Sequence, residues 1–220
     1  MPPLDSVQQR LAAACARAGR DPQSVTLVGA SKTVAAPRLA QFFAAGLADF
    51  GENYIQEGVA KVEYFREHNL SANWHFIGAL QSNKAREAVA SFDLIHSLDR
   101  LSLAKALDKE ARKVDKIQRV LIQVNLGEED SKAGVAPNDL SALFEKVVRM
   151  DNLKVEGLMS LPPNHDDVER MREYHRKLRE LLPQVLGQTL SMGMSRDFEV
   201  AIEEGATIIR VGTLLFGERE

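Results

Sequence analysis

Short apolar segments alternate with amphipathic segments along the chain, and this alternation restricts the possible folds more than any other feature. Eight predicted strands begin between about residue 25 and about residue 207, at a spacing of about 26 residues. Strict alternation of strands and helices indicates right-handed crossovers and a parallel sheet. Eight units close a barrel, and 220 residues lie at the small end of the usual range for that fold. We therefore predict an α/β protein with a single (β/α)8 TIM barrel, one domain over residues 1–220.

The predicted strands cover residues 27–31, 48–51, 74–78, 93–97, 119–125, 155–161, 189–194 and 207–212. The predicted helices cover residues 4–19, 36–45, 53–68, 82–90, 100–113, 138–150, 166–182 and 195–204. Almost no helical sequence follows the eighth strand, so we expect the extra N-terminal helix to cover that gap. An open doubly wound sheet is the alternative. It would favour a glycine-rich fingerprint after the first strand, and residues 29–32 contain only one glycine.

Composition excludes several classes of protein. The net charge of -3 gives no electrostatic reason to expect nucleic acid or an anionic membrane as a partner. No apolar run approaches the length of a membrane span, and the N-terminus does not resemble a signal peptide. The one cysteine, Cys15, excludes an internal disulfide and suits a reducing compartment. We therefore expect a cytoplasmic protein.

A lysine stands where the first predicted strand ends. Functional groups in such barrels lie at the C-terminal ends of the strands, and Lys32 is the only lysine at one of these ends. An amine held among apolar residues loses its proton easily, which makes it a candidate for Schiff-base formation. The alternative is a lysine that has turned to solvent. Lys84 and Lys132 lie in loops at the same rim and rank second as reactive amines.

The loops after the seventh and eighth strands carry features of an anion site. Ser195 is a good N-cap for the helix predicted to begin there, and Asp197 lies in its first turn. Gly212 allows a ligand to approach the backbone, and Thr213 can donate from its hydroxyl. These loops are the common phosphate site of the barrel. Each feature alone is typical of an ordinary cap or turn. Together with Lys32, however, they predict a site that binds a phosphate at one end and has an aldehyde-reactive amine at the other, as in a pyridoxal phosphate site.

An arginine on the eighth strand points toward the same site. Arg210 and Gly212 are two residues apart, so they face the same side of the strand. An inward-facing arginine needs a partner, and a cofactor ring nitrogen or phosphate would serve. The alternative is a salt bridge to a carboxylate at the rim, such as Glu52.

The five histidines do not predict a metal site, because no pair has the HxH or HExxH spacing. His75 and His96 lie on neighbouring predicted strands, where we expect them in the core or behind the site. His68, His165 and His175 fall on predicted helices or loops, and we expect them to be solvated.

Six blocks of the sequence carry a family resemblance. They are residues 28–33 (VGASKT), 50–54 (FGENY), 74–78 (WHFIG) with 81–84 (QSNK), 157–160 (GLMS), 191–195 (SMGMS) with Asp197, and 210–213 (RVGT) continuing to 216–217 (FG). Together and in this order they resemble the pyridoxal phosphate homeostasis protein family. The resemblance spans nearly the whole chain.

The resemblance implies a barrel similar to the N-terminal domain of alanine racemase, with pyridoxal 5'-phosphate as cofactor. It implies that Lys32 binds the cofactor as an aldimine. It assigns the remaining contacts to Asn53 beside the ring, Arg210 at the ring nitrogen, and Ser195, Gly212 and Thr213 at the phosphate. The family is regarded as a carrier and regulator of free cofactor, without an established catalytic reaction.

Two functions of different classes remain open. The first is a protein that carries or buffers pyridoxal phosphate, maintains vitamin B6 homeostasis and passes the cofactor to apo-enzymes. The second is an amino-acid racemase, which needs a second base in addition to Lys32. Racemases take it from a further domain, which we do not expect in this chain, and the tyrosines of the chain are Tyr54, Tyr64 and Tyr174. A Schiff-base aldolase without cofactor is disfavoured by the phosphate features. The sequence shows no clear oligomer interface, and we predict a monomer.

Overall fold

Eight parallel strands close into a barrel in the computed structural model, which describes residues 1–127, 133–163 and 165–217. Strands β1 to β8 are Thr26–Ala30, Asp49–Glu52, Asn73–Phe76, Leu94–Leu98, Gln118–Val124, Leu153–Ser160, Thr189–Ser191 and Ile208–Val211. Each strand pairs with the next, and β8 pairs with β1 from Thr26↔Ile208 to Gly29↔Val211. The predicted (β/α)8 barrel is confirmed, and the open-sheet alternative is wrong. The single domain over residues 1–220 stays a prediction.

Helices surround the barrel. Helices α1 to α9 are Pro2–Arg17, Ala36–Ala44, Ile55–Glu67, Ala85–Ser91, Leu101–Lys113, Leu140–Val147, Val168–Leu181, Phe198–Glu203 and Thr213–Phe216. One or more helical segments follow every strand, so the predicted order is confirmed to within a few residues at most boundaries. Among the described residues, no helix has both the length and the apolar character needed to cross a membrane.

The seventh strand is shorter than predicted. We predicted strand residues 189–194, but β7 ends at Ser191. Gly193 has a left-handed backbone with a φ of 86°, and a Cβ there would press on Ala201 and Phe198. The chain therefore turns out of the sheet before the predicted end of the strand, and α8 begins three residues later than predicted.

Helix α1 covers the seam of the barrel. It packs against α8 and against the four-residue α9 that follows β8. Arg10 Nε donates to Glu199 Oε1 at 2.7 Å, and Arg17 Nε donates to Glu203 Oε1 at the same distance. The expectation that the N-terminal helix fills the gap left after β8 is confirmed.

Apolar packing occurs in two layers. The larger cluster lies between the strands and the helices and contains most of the buried aromatic rings. The smaller cluster contains Val28, Leu94, Leu121, Met159 and Ile208, one residue from each of five strands. Because alternate strand residues face opposite sides of the sheet, this second cluster fills the barrel interior, and the polar groups above it belong to the rim.

We predict that Gly157→Ala disrupts the pairing of β6 with β7. A Cβ at Gly157 would overlap the carbonyl oxygen of Thr189, its partner on β7. Backbone cannot move aside as a side chain can, so we expect a loss in the free energy of unfolding of about 3 kcal/mol, the upper end of typical overpacking losses. Gly19→Ala is the control, because Gly19 has open space and only a positive φ. Urea unfolding measures both variants, and equal losses would contradict the steric argument.

Candidate functional site

Closure of the barrel brings the end of β1 next to the end of β8. Lys32 follows β1 by two residues, and Gly212 and Thr213 follow β8 directly. The three residues line one cavity of about 350 Å³, together with Arg38, Phe216 and Gly217. Lys32 is half-buried, and its Nζ lies 5.0 Å from the centroid of the Tyr54 ring. A primary amine and a glycine-containing turn thus share one concave site of a size typical for a small ligand.

The backbone on both sides of Lys32 is fixed by hydrogen bonds. The carbonyl oxygen of Ser31 accepts from Lys61 Nζ at 2.7 Å. The N–H of Thr33 donates to Glu57 Oε1 at 2.6 Å. Thr33 has a φ of 67°, a left-handed conformation that is costly for a β-branched residue and needs support from its surroundings. These contacts set the direction in which the Lys32 side chain leaves the backbone.

A buried lysine of α3 joins these contacts into one network. Lys61 Nζ lies 2.7 Å from Glu52 Oε1 and 3.1 Å from Glu57 Oε1, and the Lys61 side chain is 6% exposed. Ser31 Oγ donates to the same oxygen of Glu52 at 2.5 Å. Burial raises the pKa of Glu52, while the hydrogen bonds from Lys61 and Ser31 oppose the rise. The suggested Arg210–Glu52 salt bridge is therefore wrong, because Glu52 faces α3 and is paired with Lys61.

The loops after β7 and β8 contact each other. The N–H of Gly212 donates to Ser195 Oγ at 3.3 Å. Ser195 is not the helix cap that we predicted, because α8 begins at Phe198 and Asp197 is the residue before it. Asp197 instead accepts the N–H of Met194 through Oδ1 at 2.7 Å. Ser195 therefore lies in a tight turn, with its hydroxyl beside the turn that carries Gly212.

Arg210 is buried in the barrel and held from two sides. Its Nη1 donates to Ser191 Oγ, and its Nη2 donates to the carbonyl oxygen of Ser160 at 2.8 Å. Burial lowers the pKa of Arg210 to about 10, and the charge of Asp197 opposes the shift. The guanidinium is therefore still a cation near neutral pH.

A chain of hydrogen bonds continues from Arg210 through the barrel interior. Ser191 Oγ lies 2.9 Å from His96 Nδ1, and His96 Nε2 lies 2.9 Å from His75 Nδ1. His75 Nε2 lies 3.0 Å from Asp49 Oδ1. Burial is the main cause that holds the pKa of His96 well below its usual value, and the charge of Arg210 acts in the same direction.

The direction of this chain follows from its two ends. Asp49 accepts from His75 Nε2, and the tautomer with its proton there accepts at Nδ1. His96 then donates from Nε2 and accepts at Nδ1 from the hydroxyl of Ser191, which in turn accepts from Arg210. Every donor points from Arg210 toward Asp49, and the chain holds the guanidinium in one orientation.

The histidine predictions have mixed outcomes. His75 and His96 lie in the core behind the site, as expected, and His68 and His165 are exposed. The prediction for His175 is wrong, because this residue is fully buried and its Nε2 lies 2.8 Å from Asp197 Oδ2. Its position in the highly charged helix α7 concealed the apolar stripe that contains it.

Asn53 and Lys84 are not among the residues that line the cavity. Asn53 is half-buried after β2, and Gly78 is needed beside it because a Cβ there would overlap the Asn53 carbonyl oxygen. Lys84 precedes α4 and pairs with Glu87 at 3.3 Å. Lys132 lies outside the described residues. Lys61, Arg38 and Ser191 were not among the site residues predicted from the sequence. Of these three, only Lys61 could have been found from the sequence, because its spacing of four residues from Glu57 is typical of an ion pair on a helix.

Comparisons with known proteins define the class of this barrel. The family model of the alanine racemase N-terminal domain matches residues 3–220. The structure of PipY from Synechococcus elongatus PCC7942 with PLP bound is similar, with a TM-score of 0.84, 37% identity, and coverage of 96% of this chain and 100% of that one. A protein from Bifidobacterium adolescentis has a TM-score of 0.89 and 31% identity, covering 98% of this chain and 93% of that one.

Two relatives make the assignment more specific. The pyridoxal phosphate homeostasis protein of Aquifex aeolicus is 48% identical, covering 99% of this chain and 97% of the relative. Its counterpart in Pseudomonas aeruginosa is 45% identical, covering 99% and 94%. The chain belongs to the pyridoxal phosphate homeostasis protein family, as the sequence resemblance predicted. These relatives are named for homeostasis and not for a reaction.

We predict that Lys61→Met destabilises the fold strongly. The change leaves the Glu52 carboxylate buried without its cation, and removing one member of a buried ion pair costs about 3–5 kcal/mol. Lys84→Met is the matched control, because the Lys84–Glu87 pair is partly exposed and should contribute about 0–1 kcal/mol. Urea unfolding in the absence of ligand gives both values. Similar small losses in the two variants would contradict the role given to Lys61.

Proposed function

We propose that this chain binds pyridoxal 5'-phosphate in the cavity between the ends of β1 and β8, holds it covalently on Lys32, and carries or buffers it to maintain vitamin B6 homeostasis. The observation that carries the proposal is the shared cavity of Lys32, Gly212 and Thr213. Membership of the family and the similarity to PipY with PLP bound support it.

The donor set fits this cofactor. The cofactor supplies an aldehyde, which forms a C=N bond with a primary amine and releases one water. Lys32 supplies the amine, with its backbone oriented by the Lys61 network. The backbone N–H groups of the turn at Gly212 and the hydroxyls of Ser195 and Thr213 supply the neutral donors that a phosphate accepts from. Because the C=N bond reverses with water or another amine, this attachment suits delivery.

Arg210 favours a carrier over a racemase. We propose that its guanidinium faces the cofactor ring nitrogen, with Asn53 beside the ring. An arginine cannot give up a proton at working pH, and its donors are already ordered toward Ser191 and Ser160. A ring nitrogen beside it stays unprotonated, which makes the ring a weaker electron sink. The chain thus binds the cofactor without strongly activating a substrate carbon.

The racemase alternative needs a second base on the opposite face of the substrate. The ring centroid of Tyr54 lies 5.0 Å from Lys32 Nζ, and Tyr54 is not among the residues that line the cavity. Tyr64 and Tyr174 lie on α3 and α7, where they pack against the outer core. We propose that the protein has one base only, acts as a monomer in the cytoplasm, and passes its cofactor to apo-enzymes without binding nucleic acid or membranes.

We predict that Lys32→Ala removes the visible absorption band of lysine-bound cofactor and its trapping by borohydride. The protein should remain folded, because Lys32 is only half-buried and its Nζ lies beside the Tyr54 ring. Lys84→Ala is the control and should keep both signals. Mass mapping of the reduced protein identifies the labelled residue. A normal band in the Lys32 variant, with label on Lys84, would contradict the assignment.

We also predict that the loaded protein transfers cofactor to an apo-enzyme but does not exchange the α-proton of L- or D-alanine. General acid–base groups contribute about 10²–10⁴-fold each, so a site with one base should be slower than a dedicated racemase by about that factor. NMR in deuterium oxide follows the α-proton, with an alanine racemase as positive control. Rapid exchange with steady turnover would contradict the carrier function and support the racemase alternative.

A further inference from the structure

A histidine outside the cavity fixes the loop that carries Ser195. His175 lies on α7 and is fully buried, and its Nε2 is 2.8 Å from Oδ2 of Asp197, which is 4% exposed. The other carboxylate oxygen of Asp197 accepts the N–H of Met194 at 2.7 Å. One carboxylate therefore connects an outer helix to the backbone immediately before Ser195.

The hydrogen bond between His175 and Asp197 has a defined direction. A carboxylate accepts, so His175 carries a proton on Nε2 and donates it. His175 Nδ1 is buried and has no hydrogen-bond partner among the described residues. Within the described part of the chain, the donation to Asp197 is the one polar contact of His175.

The shape of the loop depends on that carboxylate. The N–H groups of Asp197 and Phe198 both donate to the Met194 carbonyl oxygen, at 3.1 and 2.9 Å. The turn that these bonds close presents Ser195 Oγ to the N–H of Gly212. Without the His175 donor, Asp197 would be a buried carboxylate short of a partner, which is costly. It would turn away and release Met194, and the turn would lose its shape.

We propose that His175 is a positioning residue for phosphate recognition, which it serves by holding Asp197 and thereby the turn at residues 194–197. It acts on the phosphate end of the site and leaves the amine of Lys32, on the other side of the β8–β1 seam, unaffected. This inference rests on the proposed function. It goes beyond it in assigning ligand selectivity to a side chain of the outer helix layer.

The test compares binding of pyridoxal phosphate with binding of pyridoxal, which has the aldehyde but lacks the phosphate. Absorbance titration is carried out on the wild type and on three variants, His175→Leu, His175→Asn and His175→Gln. Leucine and asparagine place no donor at the position of Nε2, whereas glutamine can place its amide N–H there. His68→Leu is the control, because His68 is an exposed histidine on the other side of the fold.

We expect His175→Leu and His175→Asn to weaken binding of pyridoxal phosphate at least about tenfold, the effect of one charge-assisted hydrogen bond, and binding of pyridoxal less than about threefold. His175→Gln should stay within about threefold of the wild type for both ligands. A merely structural role would weaken both ligands together.

Three results would overturn the inference: equal weakening of the two ligands, unchanged affinities in the leucine and asparagine variants, or a glutamine variant as defective as the leucine variant. If His175→Leu does not fold, the comparison of asparagine with glutamine decides. A wild type that binds the two ligands equally, or does not bind pyridoxal phosphate, would contradict the proposed function itself, which keeps the two failures distinct.

Discussion

The parallel pairing of β8 with β1 is the contact on which the site depends. Lys32 and Gly212 are 180 residues apart in the chain, and only this last pairing brings them to one cavity. Helix α1 stabilises the seam from outside, where the helix that follows β8 is too short to cover it. The fold therefore couples closure of the barrel to assembly of the ligand site, since the covalent anchor and the anion-binding turn lie on opposite sides of the same seam.

Two buried cations shape the rim, and each is balanced by hydrogen bonds. Lys61 joins Glu52 and Glu57 and holds the backbone before and after Lys32.

Arg210 is the second of these cations. It is held by Ser191 and the Ser160 carbonyl, and its contacts continue through His96 and His75. A buried charge is tolerated only when its donors are satisfied. The same networks that make these cations tolerable also fix their orientation, and the result is a preorganised site.

The sequence predicted the barrel well because periodicity reports on which faces are buried, and it placed Lys32, Gly212 and Thr213 correctly at the strand ends.

Prediction from the sequence failed where a side chain is paired across the fold. The position of Glu52 near the rim suggests Arg210 as its partner, but the pleat of β2 turns the Glu52 side chain toward Lys61. Serine is a favoured helix N-cap, yet the left-handed turn at Gly193 moves the start of α8 to a position after Ser195. His175 was hidden in a charged helix. Such pairings depend on register and helix rotation, which local patterns do not encode.

We propose that one cavity holds both ends of the cofactor, the aldehyde at Lys32 and the phosphate at the loops after β7 and β8. A crystal structure of the full chain grown with pyridoxal phosphate would show both ends at once. We expect continuous density from Lys32 Nζ to the cofactor, with the phosphate within hydrogen-bond distance of Ser195, Gly212 or Thr213. Density for the cofactor on another lysine such as Lys84, or a phosphate directed away from these loops, would contradict it.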